Sequence, residues 1–165
     1  MKRGVPVRVV LPLAAVVTVV APALRATPGT AWVPDLGWLL LLWAVPLPAP
    51  ESWRRATLLV VMLGILRSSV SAISPFHAWA GYGGGLLVRG ALDRRLSEYS
   101  FVLRFVVGFG ASLPLAGLDA IAAAQIGGAA YAPQVALQQA AAAGLLWALL
   151  RRPARAAWLR TGARP

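Results

Sequence analysis

Long apolar stretches separated by short breaks recur along the chain, at residues 9–24, 32–49, 56–74, 77–92, 101–122 and 132–150. An α-helix needs about 20 such residues to cross a bilayer, so the pattern predicts six transmembrane helices. The fourth stretch is rich in glycine (Gly81, Gly83, Gly84, Gly85), and the fifth is interrupted by Gly108, Gly110 and Pro114. Membrane helices tolerate both features, because neighbouring helices re-satisfy the backbone groups that are freed.

Composition strengthens this picture. Of 165 residues, 59% are hydrophobic and 13% charged, against about 45 to 50% and about 25% in soluble domains. The expected class is an all-α integral membrane protein, with one six-helix domain over residues 1–150 and a basic cytoplasmic tail over 151–165. No separate soluble domain fits. The absence of Cys excludes disulfides, thiolate metal sites and Cys nucleophiles.

A formal net charge of +11 suggests a nucleic-acid partner in a soluble protein, but here the positions of the charges matter more. Thirteen of the sixteen basic residues fall in the amino terminus (Lys2, Arg3, Arg8), the second break (Arg54, Arg55), the fourth (Arg89, Arg94, Arg95) and the carboxyl tail (Arg151, Arg152, Arg155, Arg160, Arg164). The alternate breaks carry only Arg25, while Arg67 and Arg104 lie inside stretches. Cytoplasmic loops are enriched in Lys and Arg. Both termini are therefore expected in the cytoplasm, and no nucleic-acid partner is expected. Ala21-Pro22-Ala23 imitates a signal-peptide cleavage site, but removing the first helix reverses this alternation, so the segment is expected to stay.

The seven Trp fall mostly near the ends of the stretches, as in an aromatic belt; Trp43 is the exception. Ser68, Ser69, Ser71, Ser74 and Ser112 have only His77 as a candidate base, and no second His exists to complete a metal site. No acidic pair shares a helix turn. Enzymatic turnover, metal and cofactor are accordingly not expected. Gly81 and Gly85, like Ala140 and Gly144, form small-residue faces suited to close helix packing. Arg104 lies three residues into the fifth stretch and can snorkel to the interface. The Arg-rich tail around Trp158 suits anionic lipid headgroups.

One charge stands out. Arg67 lies about 16 Å along the third stretch, near the middle of a ~30 Å hydrocarbon core, where an unpartnered Arg is costly. Gly64, Arg67, Ser71 and Ser74 recur at helical spacing and define an inward face. Depth arithmetic places Gln138 and Gln139 nearest to Arg67, Asp35 within reach of an extended side chain, and Asp119 shallower still. The expected polar centre is Arg67 hydrogen-bonded to Gln138 and Gln139 and paired with Asp35.

The run Val33-Pro34-Asp35-Leu36-Gly37-Trp38-Leu39-Leu40-Leu41-Leu42-Trp43-Ala44 resembles the Pro-Asp/Asn, Leu-rich, Trp-containing segment of the rod shape-determining protein MreD family. The likeness continues through Leu63-Gly64-Ile65-Leu66-Arg67, Asp119, and Tyr131-Ala132-Pro133-Gln134 before the Arg-rich end. Order and spacing over essentially the whole chain carry it, with Pro34, Asp35, Trp43, Gly64 and Asp119 as the motif residues. Arg67 stands where that family usually has Asp, the mark of a divergent member. The resemblance implies a non-catalytic subunit of the bacterial cell-wall elongation machinery in the inner membrane, working with an MreC-like protein and near peptidoglycan synthases and MreB filaments. The rival reading is a substrate-capturing subunit of an energy-coupling-factor vitamin transporter, which is similar in architecture. Such subunits commonly dock through Ala-x-x-x-Ala in the first helix, where this chain pairs Ala14 with Thr18 and Ala15 with Val19.

Overall fold

The computed structural model describes residues 7–26, 32–45, 50–71, 73–96, 100–127 and 133–150. These form six helices and no strand: α1 (Val7–Ala26), α2 (Leu36–Ala44), α3 (Pro50–Val70), α4 (Pro75–Arg95), α5 (Phe101–Gly127) and α6 (Pro133–Leu150). The basic tail 151–165, Lys2, Arg3 and the Tyr131-Ala132 pair lie outside the described residues.

Among the described residues, α5 is the one helix long and apolar enough to cross a membrane. At 1.5 Å per residue its 27 residues span about 40 Å. The helix expected over 32–49 is realised over Leu36–Ala44 alone, half the expected length. Asp35 caps α2, its Oδ1 accepting the Trp38 amide at 2.7 Å, and Val45 is extended at φ −101°, ψ 103°. Pro46 follows, and a residue before proline is pushed out of the helical region. A cap and a proline thus leave nine helical residues, about 14 Å.

α2 is the interior element. Gly37, Trp38, Leu40, Leu41, Leu42 and Ala44 are buried, and all but the glycine join Val10 and Ala14 of α1, Leu59 and Leu63 of α3, and Tyr82 and Leu86 of α4 in the main core. The other helices pack around it in series, α3 on α4, α4 on α5 and α5 on α6, with α1 against α2 and α3. Small residues permit the tightest approaches. A Cβ on Gly81 would lie 2.6 Å from Leu115 Cδ1, one on Gly85 2.5 Å from the Ala111 carbonyl oxygen, and one on Gly144 2.9 Å from the Phe105 carbonyl oxygen. Both small-residue faces are therefore used within the molecule.

The α3 pattern shows how the surface divides. Ala56, Leu59, Val60, Leu63 and Arg67 are buried, whereas Leu58, Val61, Met62 and Ile65 are exposed. The exterior is apolar elsewhere too, with Val16 and Val19 on α1, Val102 on α5 and Leu149 on α6.

Candidate functional site

The polar centre is built where four helices meet. Arg67 occupies the last turn of α3 and is only 7% exposed. It continues the buried stripe of Leu63 and Gly64, so the helical period turns it inward. Its Nη2 donates to Asp119 Oδ2 of α5 at 2.5 Å, and its Nε lies 3.4 Å from Asp35 Oδ2 at the start of α2. From α4, the Tyr82 hydroxyl donates to Asp35 Oδ1 at 3.2 Å, and the Tyr82 ring lies 5.8 Å from the guanidinium carbon. Asp35 thus caps α2, accepts from Tyr82 and faces Arg67 at once.

Asp119 is the partner that depth arithmetic places out of reach. The reason is where the helices begin and end. α3 starts at Pro50, so Arg67 sits near its carboxyl end rather than mid-helix, and α5 runs to Gly127, which carries Asp119 two turns inside its end. The glutamine pair does not enter the centre as a pair. Gln138 is exposed on the outer side of α6, while Gln139, one residue and about 100° further round, lines a small cavity with Asp35 and Asp119. Of the other motif residues, Pro34 is buried, Gly64 packs under Trp79, and Trp43 is exposed near the end of α2.

Trp38 is not a belt residue. It is 1% exposed, stacks on Tyr82 with centroids 6.2 Å apart and donates from Nε1 to Ser112 Oγ at 2.8 Å. Ser112 in turn donates to the Gly108 carbonyl at 2.7 Å, so this serine is a relay between helices. His77 lies in the first turn of α4, whose cap is Ser74. Among the described residues no group of His, Cys, Asp and Glu could hold a metal ion. Arg104 reaches back to the Ser100 carbonyl and over the Phe101 ring at the start of α5.

A second buried arginine belongs to the same framework. Arg89, counted with the cytoplasmic loop charges, lies inside the fourth apolar stretch and inside α4, at 2% exposure. Its Nη1 donates to the carbonyls of Leu42 at 2.9 Å and Val45 at 3.0 Å. Those are carbonyls at the carboxyl end of α2, which have no partner within that helix. Asp93, four residues on, lies 3.4 Å from Arg89 Nε, and the Trp147 ring covers the guanidinium at 4.8 Å. The i,i+4 spacing of Arg89 and Asp93 is the sequence signal that could have marked this site.

Beside the centre lies a cavity of about 210 Å³, walled by α1, the start of α2, the end of α3 and α4, with Thr18, Asp35, Arg67, Ser71 and Tyr82 in its wall. No family model, curated protein or solved structure matches this chain.

Proposed function

We propose that this chain is a six-segment protein of the bacterial cytoplasmic membrane, with both termini in the cytoplasm, and a non-catalytic subunit of the rod-shape, cell-wall elongation machinery. The observation that carries the reading is an inverted polarity: Arg67 and Arg89 are buried, while Val16, Val19, Leu58, Ile65, Val102 and Leu149 face outward. Both arginines face carboxylates inside the protein, the arrangement that charges take within a membrane, and a broad apolar exterior suits lipid or partner helices. The short α2 is compatible with a crossing. Residues 32–35 add up to about 13 Å of extended backbone, and Pro34 and Asp35 are buried in protein, the condition for non-helical backbone at membrane depth.

The docking role draws on the resemblance to the MreD family and on the way the centre's charges are used. Arg67 pairs with Asp35 and with Asp119, and Asp35 also caps a helix, which suits a rigid frame that presents surfaces. The partners implied are an MreC-like protein and peptidoglycan synthases, near MreB, with anionic lipids at the Arg-rich tail. Capture from native membranes with a carboxyl-terminal tag tests the reading. Co-purification of MreC-like and synthase proteins supports it, and their absence from a folded, well-expressed sample overturns it.

A second reading, a substrate-binding subunit of a vitamin-type transporter, draws on the cavity beside the centre. Saturable vitamin binding by the purified protein, without elongation partners in the capture, selects it instead.

A further inference from the structure

We infer that an anionic phospholipid docks on the outer face of α3 and α4, with its phosphate among Arg54, Arg94 and Arg95 and its acyl chains along the apolar residues that adjoin them. The inference rests on the membrane reading above and on nothing in the polar centre.

Helix packing brings these arginines to one end of the molecule. α3 and α4 run antiparallel: Trp79 Nε1 donates to the Val61 carbonyl at 3.2 Å toward one end, and toward the other a Cβ on Gly90 would lie 3.9 Å from the Trp53 ring. Trp79, Leu86, Gly90 and Arg94 recur at helical spacing, so Arg94 continues the α3-facing side of α4 one turn beyond Gly90. Arg54 and Arg55 directly follow Trp53.

The charge at this end is not balanced by the protein. Asp93 faces Arg89, and among the described residues none of Arg54, Arg55, Arg94 and Arg95 is in an ion pair. Over residues 50–55 and 89–98, five arginines stand against Glu51, Asp93 and Glu98, an excess of two positive charges. Arg54, Arg94 and Arg95 are exposed, where an anion can reach them.

The exposed surface next to the charge is apolar. On α3 one stripe runs Arg54, Leu58, Val61, Ile65, and on α4 another runs Leu87, Ala91, Arg94 or Arg95, all exposed. Both stripes meet arginine at the same end. From Arg54 to Ile65 is eleven residues, about 16 Å, close to half of a ~30 Å hydrocarbon core and hence to one leaflet. A guest with an anionic head and one leaflet of apolar chain fits both features. A choline lipid brings a cation of its own to a cationic corner, free phosphate leaves the stripes uncovered, and an acidic soluble peptide does the same.

The test uses the full chain purified in a nonionic detergent. Dioleoylphosphatidylglycerol, dioleoylphosphatidylcholine or sodium phosphate is titrated against the thermal midpoint at equal ionic strength, and native mass spectrometry counts the lipid retained. Saturable stabilisation and retention are expected for phosphatidylglycerol alone. Equal effects from phosphatidylcholine, or none from phosphatidylglycerol, overturn the inference, and an equal effect from sodium phosphate assigns the arginines to a free anion and overturns it too. Arg54→Gln and Arg94→Gln alter exposed side chains, and each should weaken phosphatidylglycerol binding about 5-fold. Replacing Arg151, Arg152, Arg155, Arg160 and Arg164 by Gln should leave that binding in place; loss there, with the Arg54 and Arg94 variants unchanged, moves the lipid to the tail and overturns the assignment. Unchanged lipid affinity with lost partner capture in the Arg54 and Arg94 variants assigns the corner to an acidic partner segment instead. Release of the chain from membranes by an alkaline wash without detergent sinks the membrane reading itself, whereas a chain that needs detergent yet shows no preference for phosphatidylglycerol sinks this inference alone.

Discussion

Arg67 and Arg89 hold opposite ends of the same nine-residue helix. Arg67 faces Asp35, the residue that caps the amino end of α2, and Arg89 donates to the Leu42 and Val45 carbonyls at its carboxyl end. A helix this short is marginal by itself, and its ends carry most of its unsatisfied backbone groups. Two long cationic side chains, one from α3 and one from α4, fix it in the interior while the surrounding helices supply the apolar burial.

Removing Arg67 takes away the cation that Asp35 and Asp119 both face. Arg67→Leu is expected to lower stability by about 3–5 kcal/mol, the usual cost of breaking a buried pair by deleting one partner. Asp119→Asn should cost less, because Asp35 still faces the guanidinium. Unfolding curves of the purified protein measure both, and a double-mutant cycle should give a coupling of about 0.5–3 kcal/mol. A loss under about 1 kcal/mol for Arg67→Leu means that the centre does not hold the fold.

Arg89→Leu strands the Leu42 and Val45 carbonyls at an expected cost of about 1–3 kcal/mol each. The loss should be local before it is global. Hydrogen exchange should accelerate in α2 while α5 and α6 remain protected, because those two helices pack mainly on each other. Arg89→Lys offers one nitrogen to the two carbonyls but loses the Nε that faces Asp93 and the planar group against the Trp147 ring, so it should recover only part of the difference. Uniform exchange across all helices in the Leu variant counts against a role confined to α2.

Much of this framework is visible in the sequence, and the rest is hidden for identifiable reasons. The six helices follow the apolar stretches, and the inward face of α3 follows from the spacing of Gly64, Arg67 and Ser71. The shortness of α2 is written in Asp35 and Pro46, although the surrounding Leu run conceals it. The partner of Arg67 is not legible, because depth counted from the edges of apolar runs ignores the six residues by which α3 starts early and the five by which α5 ends late. Arg89 is hidden for a different reason: it is counted with the basic residues of the fourth break, although it lies three residues inside the end of the fourth apolar stretch and within α4. Trp38 looks like a belt residue because its partners, Tyr82 and Ser112, are distant in the chain.

The glycines divide into two sets with opposite expectations. A Cβ on Gly85 lies 2.5 Å from the Ala111 carbonyl oxygen, and one on Gly144 2.9 Å from the Phe105 carbonyl oxygen, whereas Cβ atoms on Gly83 and Gly117 meet nothing within 4 Å. Gly85→Leu and Gly144→Leu should therefore lower the folded yield sharply by forcing helices apart. Gly83→Ala and Gly117→Ala should raise stability by up to about 1 kcal/mol each, the difference in helix propensity. Size-exclusion yield and unfolding midpoints read both sets. Normal yield and midpoint for Gly85→Leu would mean that the close approach of α4 to α5 does not hold the fold.

Orientation is the last prediction, and the freedom from Cys makes it direct. Arg-rich segments at helix ends resist translocation, so the start of α3 with Arg54 and Arg55, and the end of α4 with Arg94 and Arg95, should stay on the cytoplasmic side. Arg89 now drops out of this count, because it is buried within α4 and cannot act as a loop charge. The asymmetry survives the removal: the end of α4 keeps Arg94 and Arg95, both exposed, and the alternate breaks still hold only Arg25. Single cysteines at Thr27 and Ser97 report the two sides. With intact cells, an impermeant maleimide should label position 27 and leave position 97 unlabelled until the membrane is opened. Labelling of 97 but not 27 from outside reverses the orientation, and labelling of both removes an odd number of crossings between them.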